Sequence, residues 1–318
     1  VRRFEVAFAE FVGVRNAIAC SSGSAALHLA LKALGVKAGD QVALPAMTYV
    51  ATANAVVQCG AVPVFVDVDR DTWCIDPGQV PADVNGVIPV HMYGLVADLS
   101  ALDKCDRWLL EDAAQAHGAA QGGRQVGAIG DAGAFSFYAS KIIACGEGGM
   151  VTTNNDKVAR SARLYRGQGV DPTRRYWHEV QGFNYRMTDL SAAIGLAQLE
   201  QYPGFATCRR ALMDLYMQRL DGVVTFQPRT DESADWVAAC LLPTDADSAQ
   251  VAERMLLRGV ETRPFFPPLT TMPAYFDSSA QVPVARELAR RGICLPLHCE
   301  MAPKDAEYVC DELLGALR

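Results

Sequence analysis

No two cysteines of this sequence stand in a Cys-x-x-Cys pair, although there are ten of them between Cys20 and Cys310. Most lie among apolar residues, as Cys294 does in Ile-Cys-Leu-Pro, which is how buried free thiols sit in a reducing compartment. They read as core, not as metal ligands. A basic run is missing too. The net charge of -7, from 29 Lys+Arg against 36 Asp+Glu, argues against nucleic acid or an anionic membrane as the main partner. Long apolar runs are absent: stretches such as 61–68 are short and interrupted by Pro or charge, far below the ~20 residues of a spanning helix. The opening residues form an amphipathic helix carrying acidic residues, not a signal peptide. A soluble, cytoplasmic protein acting on a small molecule is expected. Neither Gly-x-Gly-x-x-Gly after the first strand nor Gly-x-x-x-x-Gly-Lys-Ser/Thr occurs, which weakens a nicotinamide oxidoreductase or a P-loop reading.

What is present is a core. Half of the 318 residues are hydrophobic and a fifth charged, enough for one large domain or two closely packed ones. To about residue 200, short β-rich runs (17–20, 41–44, 62–67, 87–91, 108–111) alternate with helical stretches (24–34, 51–59). That order predicts an α/β fold with a largely parallel sheet, and a ligand beyond the carboxyl ends of its strands. Helical spacing predicts two successive helices over 188–201 and 206–220. The later pattern predicts strands at 223–226 and 236–242 and helices at 248–258, 284–291 and 304–314. We therefore expect a large domain over 1–220 and a smaller α+β domain over 221–318.

Lysine is scarce enough for each to be weighed. Lys32, Lys37, Lys104, Lys157 and Lys304 lie beside charged residues or at predicted helix ends and read as solvated cations. Lys141 stands between Phe-Ser-Phe-Tyr-Ala-Ser and Ile-Ile-Ala-Cys-Gly-Glu-Gly-Gly, an apolar, Gly-rich setting. Desolvation there lowers an amine's pKa and supplies the neutral nucleophile that Schiff-base chemistry needs. Asp112 closes the apolar run Leu-Leu-Glu-Asp, 29 residues earlier. A carboxylate so placed can keep a pyridinium nitrogen protonated, or simply cap the next helix. In Cys-Ser-Ser-Gly-Ser-Ala-Ala-Leu at 20–27, a turn runs into a helix start whose free N–H groups suit one phosphate.

Four ordered stretches, Ser-Gly-Ser-Ala-Ala-Leu-His-Leu-Ala-Leu at 22–31, Pro-Ala-Met-Thr-Tyr-Val-Ala-Thr-Ala-Asn at 45–54, Glu-Asp-Ala-Ala-Gln-Ala-His-Gly at 111–118 and Ser-Phe-Tyr-Ala-Ser-Lys at 136–141, carry a resemblance over nearly the whole chain. It resembles the DegT-like sugar aminotransferases, a branch of the fold-type-I pyridoxal 5'-phosphate (PLP) enzymes. Gly-Glu-Gly-Gly-Met-Val at 146–151, Tyr-Trp-His-Glu-Val-Gln-Gly-Phe-Asn-Tyr-Arg-Met-Thr-Asp at 176–189 and Glu-Thr-Arg-Pro at 261–264 are most similar to members that aminate C4 of GDP-4-keto-6-deoxymannose with glutamate. Members acting on UDP- or dTDP-linked keto-sugars share much of the pattern.

The resemblance implies that Lys141 carries PLP as a Schiff base and shuttles the proton, the cofactor cycling through pyridoxamine 5'-phosphate. Asp112 faces the ring nitrogen, Gln115 lies beside the ring near its phenolic oxygen, and Tyr49 stacks on it. Gly23, Ser24 and Ser136 hold the phosphate, and Asn184 reaches the phosphate of the neighbouring subunit, making a homodimer with shared sites. His178 and Arg263 are candidate contacts to the sugar nucleotide or the donor carboxylate. His91 and His117 read as structural. Outside the resemblance, Tyr49 reads as a core aromatic, Ser136 as a strand hydroxyl and Asn184 as a turn residue. Related dehydratases carry His where Lys141 stands, and a non-catalytic homologue fits poorly with Lys141, Asp112 and Gln115 all present. The sequence departs from the family at Thr270, commonly His, at Leu297-His298-Cys299, and in a shorter stretch before Phe4-Glu5.

Overall fold

The computed structural model describes residues 1–102, 107–171 and 173–318, so Lys104 and Cys105 lie outside the described residues. The elements run α1 (Arg2–Val12), β1 (Asn16–Cys20), α2 (Gly23–Ala33), β2 (Gln41–Pro45), α3 (Ala51–Gln58), β3 (Val62–Val66), β4 (Gly86–Val87), α4 (Leu99–Leu102) and β5 (Trp108–Asp112). They continue with β6 (Ala120–Gln121), β7 (Arg124–Gln125), β8 (Ala132–Ser136), β9 (Gly149–Thr153), α5 (Asp156–Arg166) and α6 (Asp189–Arg219). The last part holds β10 (Thr225–Phe226), β11 (Ala238–Leu241), α7 (Ser248–Leu257), β12 (Arg263–Pro264), α8 (Pro283–Arg291), β13 (Gly292–Leu295) and α9 (Pro303–Ala316).

Seven strands form the main sheet in the order β1-β9-β8-β5-β4-β2-β3. Only β9 opposes its neighbours, β1 and β8; the pairings β8·β5, β5·β4, β4·β2 and β2·β3 are parallel. The expected mainly parallel α/β sheet is therefore what forms. Its central strands are continuous apolar runs, Val42-Ala43-Leu44 and Leu109-Leu110, with no polar alternation, because helices cover both faces. α2 shows how a helix is set on this sheet: Ser22 accepts from the Ala25 amide at 3.1 Å as N-cap, and its residues from Ala25 to Leu31 are all buried. Gly149 sits where any Cβ would lie 2.1 Å from the Ser22 carbonyl oxygen, so the strand can pass this helix start only without a side chain.

A second, four-stranded antiparallel sheet, β10-β11-β13-β12, packs with α7 and α9. Leu212, Met213 and Tyr216, from the C-terminal half of α6, share its core with Cys240, Ile293 and Leu313.

The two helices expected at 188–201 and 206–220 are one helix of 31 residues with Pro203 inside it. Proline removes one N–H and normally kinks or ends a helix. Here Pro203 is exposed, and both halves are pinned by tertiary contacts. Gly195 lies under Phe4 of α1, the Tyr202 hydroxyl donates to the His117 carbonyl at 3.0 Å, and Tyr216 is buried at the far end.

Candidate functional site

Four parallel strands release their chains at one edge of the main sheet, and chemistry gathers there. β1 ends before Gly23, β2 before Tyr49, β5 at Asp112 and β8 at Ser136. Sequence reasoning placed ligand chemistry at these carboxyl ends, as open α/β sheets dictate.

Asp112 is buried. Its Oδ2 accepts from Thr52 Oγ1 at 2.8 Å and its Oδ1 from the Ala114 amide at 3.2 Å. Burial pushes its pKa up, against the pull of these two bonds and of the nearby Lys141 and His91. A carboxylate held this way gains from a cation brought to it.

Lys141 stands in the turn after β8, its amide bonded to the Tyr138 carbonyl at 2.9 Å. Its ammonium lies 3.8 Å from the centroid of the Trp236 ring. Burial lowers its pKa to about 8; Asp112 opposes the shift and Arg263 adds to it. The shift gives a far larger neutral fraction near neutral pH than an ordinary lysine has, which is what a nucleophilic amine requires. An open cavity of about 600 Å³ adjoins it, lined by Lys141, Arg209, Trp236, Arg263, His298 and Tyr308 among others.

At the start of α2, the Ser22 hydroxyl takes the Ala25 amide and the Ser22 carbonyl the Ala26 amide. The N–H groups of Gly23 and Ser24 have no acceptor among the described residues. A Cβ on Gly23 would fall 2.7 Å from Ser136 Cβ, so only glycine lets helix start and strand end meet. The Ser136 hydroxyl accepts a long bond from the Tyr138 amide, at 3.4 Å.

Gln115 is buried and accepts from the Tyr93 amide through Oε1 at 2.9 Å, and its amide nitrogen has no acceptor among the described residues. Tyr49 is 59 % exposed, its ring 5.9 Å from that of Phe266. Asn184 and His178 are exposed on the segment before α6. Asn184 bridges to Gly167, His178 Nδ1 lies 2.9 Å from the Gln168 carbonyl oxygen, and neither lines the cavity beside Lys141.

The other histidines have structural surroundings. His91 Nε2 meets Glu111 Oε2 at 3.1 Å in full burial, and Glu111 also accepts the amides of Gly127, Ile129 and Gly130. His117 packs between Phe135 and Phe137, and burial pushes its pKa down to about 3. Thr270 is buried, and its hydroxyl has no partner among the described residues.

Sequence reasoning missed Thr52, Trp236 and Arg209. Thr52 was within reach, three residues after Tyr49 on the first turn of α3. Trp236 and Arg209 carry no local signal, because they come to the site from α6 and the approach to β11.

A family model described as the DegT/DnrJ/EryC1/StrS aminotransferase family matches residues 1–314. The chain belongs to that family. It is 40 % identical to the GDP-perosamine synthase of Caulobacter vibrioides, over 96 % of this chain and 87 % of that one. Against the GDP-perosamine synthase of Escherichia coli O157:H7 the identity is 36 %, over 98 % and 89 %. The crystal structure of S. venezuelae DesV in complex with a ketimine intermediate superposes with a TM-score of 0.93 at 31 % identity, covering 100 % of this chain and 89 % of DesV. As a member of this family the chain is a PLP-dependent sugar aminotransferase. The donors at the carboxyl edge fit such a cofactor: two free amides at a helix start for a phosphate, a buried carboxylate for a protonated ring nitrogen, and a primary amine beside an open cavity.

Proposed function

We propose that this aminotransferase moves an amino group from glutamate to the 4-keto group of GDP-4-keto-6-deoxymannose. The observation that carries the reading is the 36–40 % identity to GDP-perosamine synthases of three organisms across at least 96 % of this chain.

In this reading Lys141 Nζ would hold PLP and, as the free amine, would take and return the proton of the substrate carbon. Its lowered pKa suits both duties. The Asp112 carboxylate would face the ring nitrogen and keep it protonated. Thr52 Oγ1 steadies that carboxylate at 2.8 Å. Gln115 would lie at the ring edge and Tyr49 would cover a ring face. The amides of Gly23 and Ser24 with the Ser136 hydroxyl take the phosphate. Asn184, exposed and remote from its own cavity, suits the phosphate of a second subunit in a homodimer with shared sites. His178 is assigned to the nucleotide sugar from the same exposed segment. Arg263, on the cavity wall with Lys141, suits a substrate carboxylate or phosphate. The bound cofactor supplies the electron sink for both half-reactions. The residues after 220 form the smaller domain that closes the cavity, and the enzyme works in the cytoplasm.

The test is spectroscopic. Protein purified with PLP should show the cofactor band in the visible or near ultraviolet, lose it on adding glutamate and regain it with 2-oxoglutarate. GDP-, UDP- and dTDP-linked 4-keto-6-deoxy sugars are then offered as acceptors. A spectrum indifferent to glutamate overturns the reading; preference for a UDP- or dTDP-sugar overturns the acceptor alone.

A further inference from the structure

Trp236 reaches the site from the second sheet and touches the one side chain on which the reaction turns. Its indole face lies 3.8 Å from Lys141 Nζ. Its Nε1 donates to the carbonyl of Ser140, the residue before that lysine, at 2.8 Å. The ring is buried and clamped. Arg209 Nη1 donates to the Trp236 carbonyl and to the Leu297 carbonyl, each at 2.9 Å. Tyr93 stacks on the indole with 22° between planes, and Phe266 stacks on Tyr93 with 14°. Tyr93 in turn gives its amide to Gln115. A row of rings thus runs from Lys141 to Phe266, next to Tyr49.

We propose that Trp236 is a positioning residue for Lys141: its π face holds the free ammonium, and its indole N–H ties down the turn that carries the lysine. A lysine stem freed from its covalent partner has several rotatable bonds, and leaving it unheld would scatter the proton carrier over many rotamers. A ring face attracts an ammonium most strongly where water is excluded. The charged and titratable groups around this ammonium are Asp112 at the end of β5, His117 in the turn beyond it and Arg263 on β12, with Arg209, Glu261, Cys294, His298, Glu300, Asp305 and Tyr308 around the cavity. Asp112 and the indole favour the charged amine, whereas burial and Arg263 oppose it. The indole therefore steadies the ammonium that forms once the amine has taken a substrate proton, and holds it in place until that proton is passed on.

The assignment rests on Lys141 being the cofactor lysine, yet its test needs no turnover. In the full chain freed of cofactor, the rate at which trinitrobenzenesulfonate modifies Lys141 is followed against pH by peptide mass spectrometry. Trp236→Leu should move the midpoint down by about one pH unit, so that modification at pH 7 runs about fivefold faster. Trp236→Phe, which keeps a π face, should move it less than half as far. Replacing the tryptophans by mono-, di- and trifluoro analogues drains the ring face at nearly constant shape, and the midpoint should fall stepwise. An unshifted Trp236→Leu midpoint overturns the proposal, as does a flat fluorination series, which remains readable if Trp236→Leu does not fold. A cofactor spectrum indifferent to glutamate would remove the role of Lys141 in transamination without touching this titration.

Discussion

Thr52 donates from Oγ1 to Asp112 Oδ2 at 2.8 Å, with both residues buried. The bond favours the ionised carboxylate, whose pKa burial has already pushed up. Thr52→Val keeps the shape and removes the donor, leaving the Ala114 amide as the remaining bond. The carboxyl pKa then rises further, and the acid limb of cofactor binding moves to higher pH. A lost bond to a charged group amounts to about 1.5 kcal/mol, so PLP affinity should drop about tenfold in an absorbance titration at pH 7.

Asp112→Asn should separate stability from function. The raised pKa means that the folded chain, without cofactor, keeps a proton the unfolded chain has released. Ionising Asp112 therefore subtracts stability as pH rises from the ordinary value of 3.8 through the folded one, and none of it returns above that window. An amide carries no such penalty. The cofactor-free variant should melt at or above the wild-type temperature at pH 8, while transamination falls at least 100-fold for want of a protonated ring nitrogen. A cofactor-free variant that melts well below the wild type would show the carboxylate to be a structural support instead.

Gly23→Ala tests the phosphate cradle. Its methyl would overlap Ser136 Cβ at 2.7 Å, backbone-proximal atoms that cannot swing away, so helix start and strand end must separate. Misplacing two amides and a hydroxyl together should weaken PLP binding by more than tenfold, while Ser136→Ala, which removes one hydroxyl, should cost roughly threefold. Equilibrium titration of each variant with PLP gives the comparison.

What the sequence revealed about this site follows from where its parts lie along the chain. Gly23 and Asp112 each follow an apolar run read as a buried strand, 17–20 and 108–111, so their edge of the sheet was readable, whereas Ser136 and Lys141 were picked out by their setting and by the resemblance and the strand β8 before them was not foreseen. Trp236 and Arg209 reach the cavity through tertiary packing of α6 and the approach to β11, and no spacing announces that; Arg263, which lines the same cavity, was named only through the resemblance. The reversed direction of β9 was equally silent, since Gly-Met-Val-Thr-Thr pairs as well in either sense and only its antiparallel register to β1 and β8 decides. Pro203 misled for a definite reason: it marks a helix end when flanking segments are free, and here Phe4, His117 and the second core hold both flanks in line.

Glu5 offers a prediction about the N-terminal helix that is independent of the cofactor. It is buried, with Oε1 accepting from the Ala19 amide at 3.0 Å and from Arg166 at 2.8 Å, and Oε2 from Arg163 at 3.0 Å. Burial alone would raise its pKa, but these partners together lower it below the ordinary 4.5. A depressed carboxylate stabilises the fold above its unfolded pKa and loses that contribution as pH falls through the lower folded value. Glu5→Gln leaves two guanidinium groups facing a neutral amide, and breaking such a pair from one side costs about 3 kcal/mol. The urea midpoint should therefore fall clearly at pH 7, and the gap from wild type should narrow as the pH drops below 4.5. An equal gap at pH 7 and pH 3.5 would mean that α1 is held by the packing of Phe4 and Phe8 on Phe137, with the ion pairs adding nothing.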